Sequence, residues 1–428
     1  MSPIQYFGVV SDHFVLYALL LLLTSPLHYW LAKRLTFGIF DPLFMVILTD
    51  WFGLVIVSFM RIQNDISELH FFYYITSQVT LYAGLFTVSR SKNVHNESVL
   101  TLPPSLEKLI IFFSLLFHVT ATGIKWALTG VPLFNVSRLG AFANSGGFGL
   151  IERIENGSFY ILAFCTIFHF INSRIKSKKT NVLIMTWLLI YLSLSGSKGA
   201  LLGIVQILFL IKFVFSSNNE KGSSEPSNTL IYFLVSGIFA FAVLAIQSQG
   251  DIIDALAGFA FRLVSFGDIY MYAYLNDTIH YITGDNPIIG LFGGMLSTFR
   301  IIPVDWIYPH MGLQFTGLIY PDLDYMAGPN PRHNVFFYHY FGWMGVVFSY
   351  IIGILIRFFQ MRLYALKRRG YLSLLWAFLF YFAFISLSAD FEYSLSLISS
   401  ILVSVIPILL CAYIFYFSCF HLRGNPNG

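Results

Sequence analysis

Apolar residues run through this chain in long, nearly unbroken stretches, and polar residues collect in the gaps. A helix needs roughly 20 consecutive apolar residues to cross a bilayer. The stretches that qualify are 13–32, 38–60, 69–89, 107–128, 157–173, 181–195, 199–215, 229–248, 334–357, 371–389 and 394–419. The pair 181–195 and 199–215 is short: it reads as two spans joined by a tight turn at Ser195-Gly196-Ser197-Lys198, or as one broken region. The pattern predicts an all-α, polytopic transmembrane bundle of about eleven spans, one integral membrane domain over residues 1–428. The first stretch has no charged segment before it and reads as a span, not a cleaved leader.

Two of the gaps are long, about 129–156 and 249–333. Loops beyond about 12–15 residues usually carry function or structure of their own. Within the larger one, 251–274 has helical periodicity, with Asp251, Asp254, Gly258, Arg262, Ser265 and Tyr272 near one stripe. That predicts an amphipathic helix along the outer interface. Lys33, Arg34, Arg90, Lys92, the basic run 174–179 and the run 362–369 all fall on one side of the predicted bundle. By the positive-inside bias this side is the cytoplasm. The N-terminus and both long loops are then outside, and the C-terminus is inside.

Composition agrees with this reading. Hydrophobic residues make up 57% and charged residues 11% of the chain. A soluble domain carries roughly 25% charged residues, so this chain has too few to cover a water-facing surface. The net charge of +4 is mostly spent on topology and points away from nucleic acid. The three cysteines have neither a disulfide framework nor metal-ligand spacing. No metalloprotease helix, phosphate-cradling glycine loop or nucleophile elbow is present. Asp322-Leu323-Asp324 reads as a turn, and neither a metal nor a cofactor is expected.

Cations on the outer side run against the topological bias and need a reason. Arg61 and Arg153 read as ordinary ion-pair partners. Lys198 lies at a turn between apolar helices, where an ionisable group is expensive and lines a polar cavity or an ion path. Arg262 lies on the predicted interfacial helix. Arg332 begins Arg332-His333-Asn334 at the mouth of a span, behind the stiffening Pro329 and Pro331. Guanidinium and ammonium groups gathered beside a bilayer suggest a phosphate-bearing lipid substrate, which an Arg fork binds bidentately. His333 is the leading general-base candidate, since its ordinary pKa lies near neutrality.

These segments carry a resemblance. Ser-Gly-Ser-Lys-Gly-Ala-Leu at 195–201, and Pro331-Arg332-His333-Asn334 with Gly342 and Gly345, resemble segments of the O-antigen polymerase (Wzy-type) and O-antigen ligase superfamily. Arg138 and Gly149 are similar in spacing to the Arg-x10-Gly pattern of such polymerase loops. The chain departs from the family in having Lys198 where Arg is frequent and no second Arg-x10-Gly in the large loop. The resemblance implies a glycosyltransferase that polymerises undecaprenyl-pyrophosphate-linked oligosaccharide repeat units at the periplasmic face of the inner membrane, with no metal and no nucleotide. A chain-length regulator protein is an implied partner. On this reading Lys198, Arg262 and Arg332, with Arg138 and Arg300 in reserve, stabilise the leaving pyrophosphate. His333 takes the acceptor proton, with Asp268 as fallback base. Tyr308, Tyr320 and Tyr325 stack on sugar rings. Three rival readings remain: an O-antigen ligase, a flippase for lipid-linked oligosaccharide, and a purely structural assembly subunit.

Overall fold

Helix starts in this chain sit on residues suited to the task. Asp41 accepts from the Leu43 amide (3.0 Å) and the Phe37 amide (2.9 Å), with Pro42 at the first helical position. Ser67 accepts from the His70 amide ahead of Glu68, and Asn286 caps a third helix ahead of Pro287. Gly130, at φ 77, and Gly342, at φ 52, follow helix ends in a backbone region that glycine enters without strain.

The computed structural model describes residues 3–89, 102–134, 149–172, 178–195, 200–216, 238, 267–322, 328–365 and 370–421. It is all-helical: 85% of the described residues are in helices and none is in a strand. The helices are α1 (Pro3–Asp12), α2 (Phe14–Leu35), α3 (Pro42–Ile62), α4 (Glu68–Thr87), α5 (Pro104–Thr129), α6 (Gly149–Asn172), α7 (Lys178–Leu194) and α8 (Ala200–Ser216). Then come α9 (Asp268–Tyr274), α10 (Pro287–Thr298), α11 (Met311–Ile319), α12 (His333–Phe341), α13 (Gly345–Ala365), α14 (Tyr371–Ile385) and α15 (Phe391–Tyr416).

Among the described residues, six helical stretches are long and apolar enough to cross a membrane: Phe14–Leu35, Pro42–Ile62, Pro104–Phe134, His333–Leu363, Tyr371–Ser388 and Phe391–Cys419. Of the other predicted spans, 69–89 and 157–173 fall on α4 and α6, helices of 20 and 24 residues that carry more polar side chains. The stretches 181–195 and 199–215 fall on the 17-residue helices α7 and α8. The stretch 229–248 lies outside the described residues apart from Ile238. On α2, Phe14, Val15, Leu19, Leu22, Leu23 and Leu27 are exposed. A lipid-facing helix surface requires such a side.

The chain forms two units, Met1–Arg90 with Leu244–Phe358 and Phe382–Leu395, and Ser91–Val243 with Phe359–Tyr381 and Ser396–Gly428. In the first, α2 packs on α3, and Val55, Phe59, Tyr74, Tyr270, Phe336 and Phe337 are in the core. Here α4 and α13 touch backbone to backbone: a methyl group on Gly84 would lie 2.2 Å from the Tyr350 carbonyl oxygen, and one on Gly353 2.2 Å from that of Leu81. In the second unit, α5 packs antiparallel to α6, since Glu107 of one end meets His169 at 3.5 Å and Lys125 of the other meets Glu155 at 2.5 Å.

The region between α8 and α12 differs from an interfacial amphipathic helix where it is described. Residues 251–266 lie outside the described residues. The segment 268–274 is α9, and its Ile269, Tyr270, Met271, Ala273 and Tyr274 are all buried. Asp268 and Tyr272, one turn apart on the helix, are half-buried, and α9 packs within the first unit against α3, α11 and α12.

Candidate functional site

Arg332 and His333 are both buried, and the first unit builds a polar network around them. Arg332 precedes α12 in an extended conformation (φ −61, ψ 153), the backbone usual for the residue that caps a helix start. Its Nη1 donates to Asp50 Oδ1 at 2.8 Å, and both side chains are at most 5% exposed. The other carboxylate oxygen of Asp50 accepts from the Tyr82 hydroxyl at 3.1 Å. The Tyr74 hydroxyl reaches the Asp50 carbonyl oxygen at 3.4 Å. The Arg332 guanidinium carbon lies 6.0 Å from the Tyr270 ring centre, and Asn334 Nδ2 donates to the Tyr270 hydroxyl at 3.0 Å. Gly53, one turn along α3 from Asp50, gives this cluster its room: a methyl group there would lie 3.0 Å from the Tyr270 ring, 3.2 Å from the Tyr74 hydroxyl and 3.3 Å from Arg332 Nη1.

Asp50 sits eight residues after the start of α3, or about 12 Å along a helix axis at 1.5 Å per residue. A buried ion pair is costly to desolvate and persists only when further hydrogen bonds complete it. The tyrosines around Asp50 supply them. A guanidinium has five N–H donors, so the Asp50 bond leaves other donors on the Arg332 fork.

His333 is fully buried, and its Nδ1 lies 3.1 Å from the Ser388 carbonyl oxygen. A carbonyl only accepts, so Nδ1 carries the proton in that bond. The lone pair of the neutral ring is then on Nε2, which has no hydrogen-bond partner among the described residues. This fixed tautomer leaves the Nε2 lone pair buried and without a partner among the described residues.

A second group lies beside α4. The His70 ring stacks on Tyr274 (4.7 Å between centres, 6° between planes) and meets Tyr338 edge-on at 5.4 Å. Tyr73 lies 4.6 Å from Tyr338. Asp277 Oδ1 is 3.4 Å from His70 Nδ1 but lacks hydrogen-bond geometry, since both His70 nitrogens are without a partner. The Tyr73 and Tyr274 hydroxyls are also unpartnered and buried. Each such group carries a desolvation cost of about 1–3 kcal/mol.

A third group joins α11 to the turn before α15. His310 Nε2 lies 3.5 Å from Asp390 and 3.3 Å from Glu392. Burial would lower the imidazole pKa, but the hydrogen bond to Asp390 and the charges of Glu392 and Asp390 outweigh it and push it up to about 9. Nδ1 accepts from the Gly312 amide at 3.3 Å. The imidazolium has no lone pair, so protonation exchanges this long helix cap for two ion pairs.

Lys198, Arg262, Arg138 and Tyr325 lie outside the described residues. Arg300 is exposed, at φ 55. Asp268 is half-buried in the first turn of α9. The Tyr308 ring packs on Gly284, and its hydroxyl accepts from the Asn286 amide at 3.3 Å. Tyr320 ends α11, 6.4 Å from the Tyr272 ring. Arg61 pairs with Glu68 at 2.6 Å. Arg153 is buried and donates to the Ser396 carbonyl at 3.1 Å and to the Ser399 hydroxyl. Among the described residues no group of three or more His, Cys, Asp and Glu side chains could hold a metal ion.

Asp50 escaped the sequence reading although a signal was present: it is the one acidic residue between Pro42 and Arg61, and an intramembrane charge is a functional candidate by default. His70, Tyr73, Tyr74 and Tyr270 gave none, being ordinary members of a Phe- and Tyr-rich chain. Compared with protein-family models, curated proteins and solved structures, the chain matches none.

Proposed function

We propose that the chain is a membrane glycosyltransferase that polymerises undecaprenyl-pyrophosphate-linked oligosaccharide repeat units at the periplasmic face of the bacterial inner membrane. Its topology on this reading is about eleven spans, N-terminus outside and C-terminus inside. The observation that carries the proposal is the placement of Arg332 and His333. An arginine fork and a histidine with a fixed tautomer stand side by side in a polar network inside an apolar helical protein.

In the reaction, an acceptor hydroxyl attacks the anomeric carbon of the lipid-linked chain. A new C–O bond forms, the C–O bond to pyrophosphate breaks, and direct displacement inverts the anomeric centre. His333 Nε2 takes the hydroxyl proton, with Asp268 as the fallback base. Arg332 donates to the leaving diphosphate. Because Asp50 neutralises it, Arg332 contributes oriented N–H donors rather than net charge. Net positive charge comes from Lys198, Arg262, Arg138 and Arg300. Tyr308, Tyr320 and Tyr325 face the sugars.

The test is purified full-length protein in nanodiscs with lipid-linked repeat units, read as a ladder of products. His333→Gln can still donate to the Ser388 carbonyl but cannot take the proton. It is expected to slow chain growth by about 10²-fold or more while the protein keeps its thermal midpoint. Arg262→Ala is expected to abolish long chains at normal membrane levels. No ladder from the wild type would sink the proposal. The flippase reading draws on the Asp50–Arg332 pair, a charge pair set against a membrane span as in transport paths. It predicts movement of repeat units between leaflets without lengthening. A ligase would join the finished chain to a different acceptor.

A further inference from the structure

Helix α10 (Pro287–Thr298) reverses the arrangement of a water-soluble helix. It has no charged residue, and Gly293 is its one buried member. Its glycines face the protein: a methyl group on Gly290 would lie 2.2 Å from the Tyr340 ring of α12, and one on Gly293 3.8 Å from Ile307. Its large side chains face outward. Ile288 and Phe292 are exposed four residues apart, hence on one face, and Phe299 continues that face seven residues on. The return segment is alike. Ile301, Val304 and Trp306 are each more than half exposed, and the turn Val304–Trp306, which packs on α10, buries none of its residues. A surface helix in water turns its apolar stripe to the core; this hairpin does the opposite. An apolar segment of about 10–14 residues is a core helix or an interfacial one, and α10, with 12 residues, is not in the core.

Tyr340 sets the level of α10. The stretch His333–Leu363 has 31 residues, about 46 Å of helix, so a centred span exceeds a hydrocarbon layer of about 30 Å by about 8 Å at each end. Tyr340 lies about 10 Å from the start of that stretch, close to the hydrocarbon boundary, and Gly290 of α10 rests on it. Trp306 and Tyr308 are ring types that favour this level. Arg300 is exposed and takes left-handed backbone (φ 55) at the helix end, where glycine is usual. Its guanidinium suits a lipid phosphate. Asp285 and Asp305 are exposed as well, and an interfacial segment keeps such groups on its water side. We propose that the hairpin Pro287–Trp306 is inserted in the membrane: its Ile288, Phe292 and Phe299 face sits in the phospholipid leaflet around the start of α12, below lipid phosphates that Arg300 meets. The proposal needs only the membrane-spanning fold and stands or falls apart from the transferase reading. A lipid-linked diphosphate lies at the same phosphate level, which is consistent with the role given to Arg300 above.

The experiment uses the full chain with Cys165, Cys411 and Cys419 replaced by Ala, in nanodiscs of phosphatidylethanolamine and phosphatidylglycerol. Single spin labels are attached through Ile288→Cys and Phe292→Cys. The references are Leu23→Cys, on the exposed side of α2, and Glu68→Cys, whose side chain is 71% exposed beyond α3. Oxygen concentrates in the acyl region and a nickel chelate in water, so their relative access to a label reads its depth. Both α10 labels are expected about 5–10 Å below the lipid phosphates, with an oxygen preference nearer to that at Leu23 than to that at Glu68. Ile288 and Phe292 are exposed, so neither substitution removes packing that the fold needs. The insertion is overturned if both labels admit the nickel chelate as freely as the label at Glu68, which would put the hairpin in water. It is also overturned if both exclude oxygen and nickel alike, which would put a protein partner on this face.

Discussion

At the scale of single residues, Asp50 and Arg332 must be judged together. Removing one member of a buried ion pair strands the other charge and costs about 3–5 kcal/mol, whereas replacing both with apolar groups is often close to neutral. Asp50→Ala alone is therefore expected to destabilise the protein strongly in detergent denaturation, and Asp50→Ala with Arg332→Met to recover most of the loss. A double variant no more stable than the single one would mean that the pair is not the source of the effect. His310 makes a separate pH prediction. Its pKa rises from an ordinary 6.5 to about 9 in the fold, where the carboxylates of Asp390 and Glu392 outweigh its burial. A raised pKa contributes stability that is complete below pH about 6.5 and is lost as pH climbs through about 9. Thermal midpoints measured from pH 6 to 10 are expected to fall across that window in the wild type and to fall less in His310→Gln. Equal slopes would refute the linkage.

At the scale of elements, the contact of α4 with α13 depends on two glycines. Gly84→Ala would drive a methyl group to 2.2 Å from the Tyr350 carbonyl, and the helices must part to admit it. Small residues at crossings let membrane helices approach closely, and overfilling such a contact costs about 1–3 kcal/mol. A lowered midpoint for Gly84→Ala, but not for Gly8→Ala, where a methyl group meets nothing within 4 Å, checks this. Helix identity was largely legible in the sequence, because twenty apolar residues in a row permit little else. The half-length helices α9 and α12 were harder to read. The run 334–357 is mostly apolar, and a break at Gly342, which takes a positive φ, divides α12 from α13. In α9 Ile269, Tyr270, Met271, Ala273 and Tyr274 are buried, more of the helix than the single stripe read over 251–274 suggested. Arg332 and His333 could be singled out from Pro329 and Pro331 beside a span, whereas Asp50, Tyr74, Tyr82 and Tyr270 come together only through tertiary packing.

At the scale of the whole molecule, the basic clusters 33–34 and 362–369 imply a fixed orientation. A cysteine placed at Gln63, just past α3, is expected to react with an impermeant maleimide added outside intact spheroplasts. One at Thr36, just past α2, is expected to react only after the membrane is opened. The opposite labelling would invert the topology and move Arg332 to the wrong face for periplasmic chemistry. The ion pair also bears on how the protein is made. Asp50 and Arg332 are 282 residues apart in the chain, and a ribosome needs roughly 15–60 s to cover that distance at about 5–20 residues per second. For that interval α3 carries a carboxyl group whose final partner has not yet been synthesised. Until α12 arrives, burial of Asp50 is offset only by protonation, water or neighbouring hydroxyls, so the order of synthesis bears on when α3 can reach its final packing.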